Sequence, residues 1–112
     1  MSEKMKVKDL AKKIDLKPLN SLSDIEIKGV IVTDIVSDVV SHAGPGILVV
    51  TAQIHSTLVS AVKLVDASAI IFTMGREPQE DVIKLAAKAN ITLFTTPLSA
   101  YEIAIKLNNI GL

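Results

Sequence analysis

The sequence of 112 residues contains no cysteine and no tryptophan, and aromatic residues make up only 3% of it. Without cysteine, the chain can form no disulfide, no thiolate nucleophile and no cysteine-ligated metal site. Because aromatic residues are so few, the core must be built from Val, Ile, Leu and Ala, which supply most of a hydrophobic fraction of 49%. That composition is typical of a sheet covered by helices.

Charge of one sign is not in excess either, since twelve basic and twelve acidic residues cancel. Several lysines lie within the first thirteen residues. They form either a basic patch or a solvated helix face, and the second is favoured because Asp9 is interleaved with them on a helical pattern. We expect the solvated face and no nucleic-acid partner. No apolar run approaches the ~20 residues of a membrane span, and residues 1–6 lead into no signal peptide. We therefore expect a soluble, cytoplasmic protein that does not bind membranes.

Four times, the sequence passes from a short β-branched run to a segment with the period of an amphipathic helix. Each unit takes about twenty residues, as in the right-handed crossovers of layered α/β domains. The predicted strands span residues 25–33, 47–51, 69–73 and 91–95. We therefore predict a single α/β domain over residues 1–112, with a layered, mostly parallel sheet of four to five strands and helices on both faces.

A short helix is predicted before these units, because Val7, Leu10 and Ile14 recur at helical spacing and Pro18 ends the pattern. We expect this helix to be an outer flap. A brief extended piece is expected at residues 16–19, followed by a polar connector.

Two helices carry more apolar surface than one sheet face can cover. The helix predicted at residues 56–66 has only a narrow polar strip, so we expect a neighbouring helix or a second subunit on its other side. The last helix begins with a Ser-x-x-Glu capping box. On it, Tyr101 and Ile105 fall outside the inward stripe and are candidates to face a partner.

Each predicted strand ends at a threonine, namely Thr33, Thr51, Thr73 and Thr95. Parallel strands end at one edge of the sheet, where open α/β sheets bind ligands, so these hydroxyls are candidates for a polar shelf. The alternative is that threonine suits strands and that its hydroxyl satisfies nearby backbone groups. The other groups that can converge on this shelf are Asp34, Gln53, His55, Gly75, Arg76, Thr96 and Ser99.

An anionic ligand would bind where the N-termini of helices present their backbone N–H groups. The helix after Thr73 opens with acidic residues, whereas the turns at residues 53–57 and 96–99 contain none. We therefore expect any phosphate at these two turns, with Arg76 as the counter-charge. The glycine patterns of phosphate loops and dinucleotide folds do not occur in the sequence.

No residue set amounts to a catalytic centre, so we expect no enzyme and no catalytic residues. His55 is either a general base or a partner of Asp34, or else a structural or surface residue, and no activated nucleophile accompanies it. The two histidines lie too far apart for a local metal-ligand pair, and we expect neither metal nor cofactor. A receiver-like phosphoacceptor has the same alternation of strands and helices, but it needs an aspartate and a lysine where Thr73 and Thr95 stand.

Four ordered segments carry a family resemblance: GVxVxDxxSDV from Gly29, PGxLxVTxQxH from Pro45, TxGxEP from Thr73, and residues 92–99, which end in TPLS. Their order and spacing resemble the DRTGG domain over nearly the whole chain. The closing half is also similar to the N-terminal domain of HPr kinase/phosphorylase. The resemblance implies a non-catalytic regulatory or dimerising α/β domain.

Relatives in this family accompany phosphotransacetylase and CBS-domain proteins, and small stand-alone versions are encoded beside iron-only hydrogenase components. The Gln53-x-His55 segment looks like the stand-alone group. The resemblance thus implies a homodimer, a protein partner such as a hydrogenase or metabolic enzyme system, or, alternatively, a sensor of a nucleotide or other anion at the C-terminal edge of the sheet. The chain has Ile54-His55 and Thr73-Met74-Gly75 where the family name has Asp-Arg and Thr-Gly-Gly, so a ligand site built on those groups does not carry over intact.

Overall fold

The structure is a computed structural model that describes residues 4–112. Strands and helices alternate along the chain after a first helix, as predicted. The elements are α1 (Val7–Lys13), β1 (Lys17–Pro18), β2 (Gly29–Val32), α2 (Val36–His42), β3 (Ile47–Thr51), α3 (Ser56–Leu64), β4 (Ala69–Phe72), α4 (Glu80–Lys88), β5 (Thr92–Thr95) and α5 (Ala100–Asn109).

The five strands form one sheet in the order β1-β5-β4-β3-β2. Strands β2 to β5 are parallel to one another, and β1 pairs antiparallel with β5. The brief extended piece predicted at residues 16–19 is thus the fifth strand. The mostly parallel α/β sheet is confirmed.

Helices cover both faces of the sheet, which follows from the alternation of buried side chains along the strands. In β3, Val49 packs with α2, α3 and α4, whereas Leu48 and Val50 pack with α1 and α5. All of these strand residues are fully buried. The predicted layers, with helices on both faces of the sheet, are therefore confirmed.

The N-terminal region differs from the prediction in two ways. Helix α1 is no outer flap, because Val7 and Leu10 are fully buried in the core beneath α5. The first long strand is also shorter than predicted. Residues before Gly29 leave the parallel sheet, since Lys6 bridges Glu26 in antiparallel fashion and Ile27 N donates to Met5 O at 2.7 Å. The chain's own N-terminal segment competes for these backbone groups, and a local pattern does not reveal such a contact.

Helix α3 finds most of its cover within the domain. Its Leu58, Val59, Ala61 and Val62 are buried in the core that α2 and α4 also line, while Leu64 stays 72% exposed. The prediction of a neighbouring helix on its second side is confirmed. Within residues 4–112, no helix has the length and apolar character to cross a membrane.

Candidate functional site

The threonines that end the strands do lie at a common edge. The parallel register places Thr33 beside Thr51, Thr51 beside Phe72, and Phe72 beside Thr95. Neighbouring residues in register point to the same face of a sheet. Three of the four hydroxyls therefore line one row on the α2–α4 side, but the buried ring of Phe72 separates Thr51 from Thr95.

Thr73 lies one residue beyond this row. Its backbone still continues the sheet, since Thr73 N donates to Thr51 O at 3.0 Å, and it is level with Thr96. Because side chains alternate along a strand, Thr73 and Thr96 face the α1–α5 side. The structure thus brings the four threonines to one edge but does not aim their hydroxyls into one crevice.

The hydroxyls of the row are engaged in hydrogen bonds within the chain. Thr33 Oγ1 donates to Asp38 Oδ2 at 2.9 Å, and Thr95 Oγ1 donates to the backbone oxygen of Arg76 at 2.7 Å. Thr51 Oγ1 donates to Asp34 Oδ1 at 3.2 Å. Each hydroxyl therefore ties the end of its strand to a loop.

Asp34, which follows β2, is hydrogen-bonded to the end of β3 and so connects the first two strand–helix units. Its Oδ1 accepts from Ala52 N at 2.7 Å as well as from Thr51, and Gln53 N donates to Thr51 Oγ1 at 3.0 Å. The carboxylate therefore fixes the start of the β3–α3 loop rather than pairing with His55. A charged acceptor of backbone N–H groups stabilises such a loop more than a neutral one would.

The turn after β4 is built on backbone conformations that favour glycine. Met74 has φ 57° and Gly75 has φ 69°, so two successive residues adopt the left-handed conformation. Their N–H groups are taken, because Met74 N donates to Leu98 O at 2.9 Å and Gly75 N to Thr96 O at 2.8 Å. This turn therefore offers no free backbone donors to an anion.

The turn at residues 96–99 offers few donors either. Leu98 N donates to Thr96 Oγ1 at 3.3 Å, and Ser99 N donates to Glu102 Oε1 at 3.1 Å. Ser99 Oγ in turn accepts from Glu102 N, which completes the predicted capping box. The N–H groups of the turn are therefore engaged, and the Glu102 carboxylate adds negative charge beside them, so this turn is the less favourable of the two predicted anion positions.

The other predicted turn, at residues 53–57, borders a cleft of about 250 Å³ between the starts of α3 and α4. His55 is the N-cap residue of α3 but makes no side-chain capping bond, and its side chain is exposed. The cleft is lined by Ile54, His55, Ser56, Gln79, Asp81 and Val82. Asp81 opposes an anion here, so the cleft favours a ligand that can donate hydrogen bonds as well as accept them.

Gln79 and Asp81 were missed by reasoning from the sequence. The signal for them is that adjacent parallel units place the starts of their helices side by side, and that the start of α4 is acidic. Arg76 lies at the carboxyl edge of the sheet, after β4, and does not line this cleft. Its side chain is exposed, and its backbone is bound to Thr73 and Thr95.

The side chains do not form a metal site in the part of the chain that the structure describes. Among residues 4–112, no group of three or more His, Asp or Glu side chains is placed to hold a metal ion.

A larger cavity, of about 720 Å³, lies at the opposite end of the sheet. Lys4, Lys13 and Lys28 line it together with Glu26 and the residues that follow α5. The C-terminal ends of α1 and α5 meet there, and cations stabilise the negative end of a helix dipole. The end of α1 thus accounts for Lys13, which lies in its last turn.

A solved structure with the same fold contains the CBS and DRTGG domains of the regulatory region of Clostridium perfringens pyrophosphatase, complexed with the activator diadenosine tetraphosphate. It aligns with a TM-score of 0.69 and 18% identity over 94% of this chain. The alignment covers only 45% of the pyrophosphatase fragment, so this chain spans less than half its length. The sequence has no significant match among curated proteins. The family model for the DRTGG domain matches residues 9–110, and the chain therefore belongs to the DRTGG domain family.

Proposed function

We propose that this domain is a non-catalytic regulatory module that works as a homodimer. Family membership supports a regulatory role, as does the fold shared with the regulatory region of a pyrophosphatase. The hydrogen bonds of Thr33, Thr51 and Thr95 support a non-catalytic role, because the hydroxyls at the carboxyl edge brace loops.

The observation that best supports a dimer is the unpaired edge of the sheet at β2. Strand β2 is the last in the sheet, its residues carry no charge, and Val32 is 45% exposed. Natural proteins usually protect such an edge with lysine, proline or a covering segment. An uncovered edge of this kind suits pairing with another chain, and closed two-fold symmetry makes a second copy the simplest partner.

Light scattering on the purified protein tests the proposal. We expect the mass of a dimer at tens of micromolar, with dissociation on dilution. A mass of one chain across that concentration range would overturn the homodimer.

A nucleotide sensor is the second candidate, and the cleft beside His55 favours it. In the regulatory region of the pyrophosphatase, a dinucleotide is bound as the activator. Here the N–H groups at the start of α3 could meet a phosphate, while Gln79 and Asp81 could bind ribose or base donors.

A thermal-shift panel of mononucleotides and diadenosine polyphosphates tests the sensor. We expect a rise in melting temperature that His55→Ala reduces and the control His42→Ala preserves, since His55 lines the cleft whereas His42 is exposed at the end of α2. A shift that is the same in His55→Ala would place the ligand elsewhere, and no shift across the panel would retire the sensor.

We further propose that the module acts beside an iron-only hydrogenase or another metabolic enzyme. The support is the likeness of Gln53-x-His55 to stand-alone family members. Deleting the gene should lower hydrogenase activity in cells, and a plasmid copy should restore it. Unchanged activity would remove the hydrogenase from the proposal.

A further inference from the structure

We propose that the cavity of about 720 Å³ at the amino end of the parallel strands binds a small organic phosphate, that is, a phosphate group carried on an apolar body. The cavity lies at the opposite end of the sheet from the cleft beside His55. The proposal is therefore independent of both the homodimer and the nucleotide sensor. Three features carry it: the lysines that line the cavity, the absence of salt bridges to them within residues 4–112, and the apolar side chains beside them.

Two extended segments bring Lys4 and Lys28 to this cavity. Ile27 N donates to Met5 O at 2.7 Å in an antiparallel contact. Lys4 precedes Met5 and Lys28 follows Ile27, so the two lysines lie at the same end of this contact. The stem of Lys28 is also held in place, because its Cγ and Cδ pack over Gly46, where an added Cβ would lie only 2.9 Å from Cγ.

A third lysine, Lys13, reaches the cavity from the last turn of α1. The C-terminal end of a helix attracts such a cation, but Lys4 and Lys28 lie outside the last turns of α1 and α5. A smaller cavity, of about 380 Å³, shares Lys4 and Lys13 with the first and adds Lys12 together with Asp9. The positive charge at this end of the sheet thus exceeds what the helix ends attract.

The lysines of the cavity form no salt bridge within the described part of the chain. The salt bridges of residues 4–112 are Lys17–Glu77 and Lys84–Glu80, and none of these residues lines the cavity. Glu26 is the one acidic side chain of the lining, and the ends of α1 and α5 add roughly half a negative charge each. Three lysines outweigh these charges, so the cavity is net positive and attracts an anion.

A phosphate suits this charge better than a carboxylate does. A phosphate monoester carries roughly two negative charges at neutral pH and three acceptor oxygens. It can therefore accept hydrogen bonds from several ammonium groups at once, and lysine commonly binds phosphate in proteins.

Apolar side chains line the rest of the cavity. Ile27 is buried in the core that α1 and α5 share, while Met5, Ile110 and Leu112 are partly buried against the same core. Small-molecule sites typically combine an apolar lining with a few charged groups, in volumes of roughly 300 to 1,000 Å³. The lining therefore favours a phosphate with an apolar body over a bare inorganic ion.

Titration of phenyl phosphate into the isotope-labelled protein, followed by amide NMR spectra, tests the site. Inorganic phosphate and benzyl alcohol are the matched controls, since they supply the charge alone and the ring alone. We expect saturable shifts of the Gly29 and Gly111 amides, which line the cavity, and tighter binding of phenyl phosphate than of either control. Added salt should weaken this binding, because exposed charges are screened.

Three outcomes of the titration would overturn the proposal. One is the lack of any saturable shift. Another is a set of shifts confined to amides outside the cavity, such as those beside His55. The third is binding of benzyl alcohol as tight as that of phenyl phosphate, which would show that charge plays no part.

Charge variants test the part that the lysines play. Lys4→Ala/Lys13→Ala should weaken phenyl phosphate binding by roughly 5- to 10-fold, since two exposed ion pairs are lost. Lys63→Ala/Lys88→Ala removes two exposed lysines on α3 and α4, outside the cavity, and should leave binding unchanged. Glu26→Gln removes the opposing charge and should strengthen binding by roughly 2- to 5-fold. Equal binding by the two double variants, or weaker binding by Glu26→Gln, would overturn the proposed site.

Discussion

The two edges of the sheet are finished in different ways. At one edge, β1 is only two residues long, contains Lys17 and Pro18, and pairs antiparallel with β5. The chain then continues along β5, where Leu19 N donates to Leu93 O at 2.8 Å. At the other edge, β2 presents uncharged residues, and no strand within residues 4–112 pairs with its outer side.

Side chains complete the closed edge where the backbone of β1 stops. Asn20 acts as a substitute for a strand residue, since Leu93 N donates to its Oδ1 at 2.9 Å and its Nδ2 donates to Ile91 O at 3.0 Å. Thr92 Oγ1 accepts from Ser23 N and donates to Ser21 O, both at 2.9 Å. The comparison teaches that this chain can protect a strand edge thoroughly, and the bare edge at β2 is the contrasting feature on which the proposed homodimer rests.

Thr92→Val should have the largest effect on the closed edge. The substitution keeps the shape of a fully buried side chain but leaves Ser23 N–H without its acceptor. We expect a loss of about 2–3 kcal/mol in the free energy of unfolding, because a buried unpaired donor pays its full desolvation penalty. Urea unfolding measures it, and Thr92→Ser, which keeps the hydroxyl, should recover most of the loss. A loss below about 1 kcal/mol would mean that the connector is held by other contacts.

Asn20→Ala should have the second-largest effect on stability. It removes the two hydrogen bonds to β5 but leaves a partly solvated site, so we expect a loss of about 1–2 kcal/mol in unfolding free energy. Asn20→Asp retains the acceptor for Leu93 N and should fall between Ala and the unmodified chain. Hydrogen exchange at the Leu93 amide gives a local readout. Protection of that amide should fall in Asn20→Ala, and unchanged protection would contradict the role of Asn20 as an edge substitute.

The contrast between the edges also shows how far local sequence patterns reach. The change from period 2 to period 3.6, four times over, was enough to predict the parallel sheet and its helices on both faces. The closed edge was not predictable in this way. Asn20 lies in a stretch that looks like an ordinary polar connector, and its partner Ile91 is 71 residues away.

Local sequence patterns are limited in the same way at the carboxyl edge of the sheet. Strand ends at Thr33, Thr51 and Thr95 could be placed at one edge from topology alone. Which face each hydroxyl takes depends on register, and that is why Thr73 was expected in the row but faces the other side. The hydrogen bond from Ser99 N to Glu102 is predictable from the capping box, and it places a carboxylate beside the turn at residues 96–99.

Thr33→Val makes the same substitution at the open edge, and its effect should be smaller. Thr33 Oγ1 donates to Asp38 and accepts from Ile35 N at 3.1 Å, but the residue is only half-buried, so water can replace both contacts. We expect a loss of about 0.5–1 kcal/mol in unfolding free energy, measured at a dilution where the chain is monomeric. A loss as large as that of Thr92→Val would show that the two edges are equally rigid within one chain.

Ser68→Ala, in the middle of the sheet, should have the smallest effect. Ser68 precedes β4 and is fully buried, yet its Oγ has no hydrogen-bond partner among residues 4–112. Removing an unpaired hydroxyl costs no hydrogen bond and relieves its desolvation, so stability should stay within about 0.5 kcal/mol or rise slightly. Because Thr92 and Ser68 are equally buried, this pair isolates the value of the hydrogen bond at the closed edge from the cost of burying a hydroxyl. A loss above about 1 kcal/mol in Ser68→Ala would indicate a buried water that pairs with this hydroxyl, and the contrast with Thr92 would then measure only the difference between two satisfied groups.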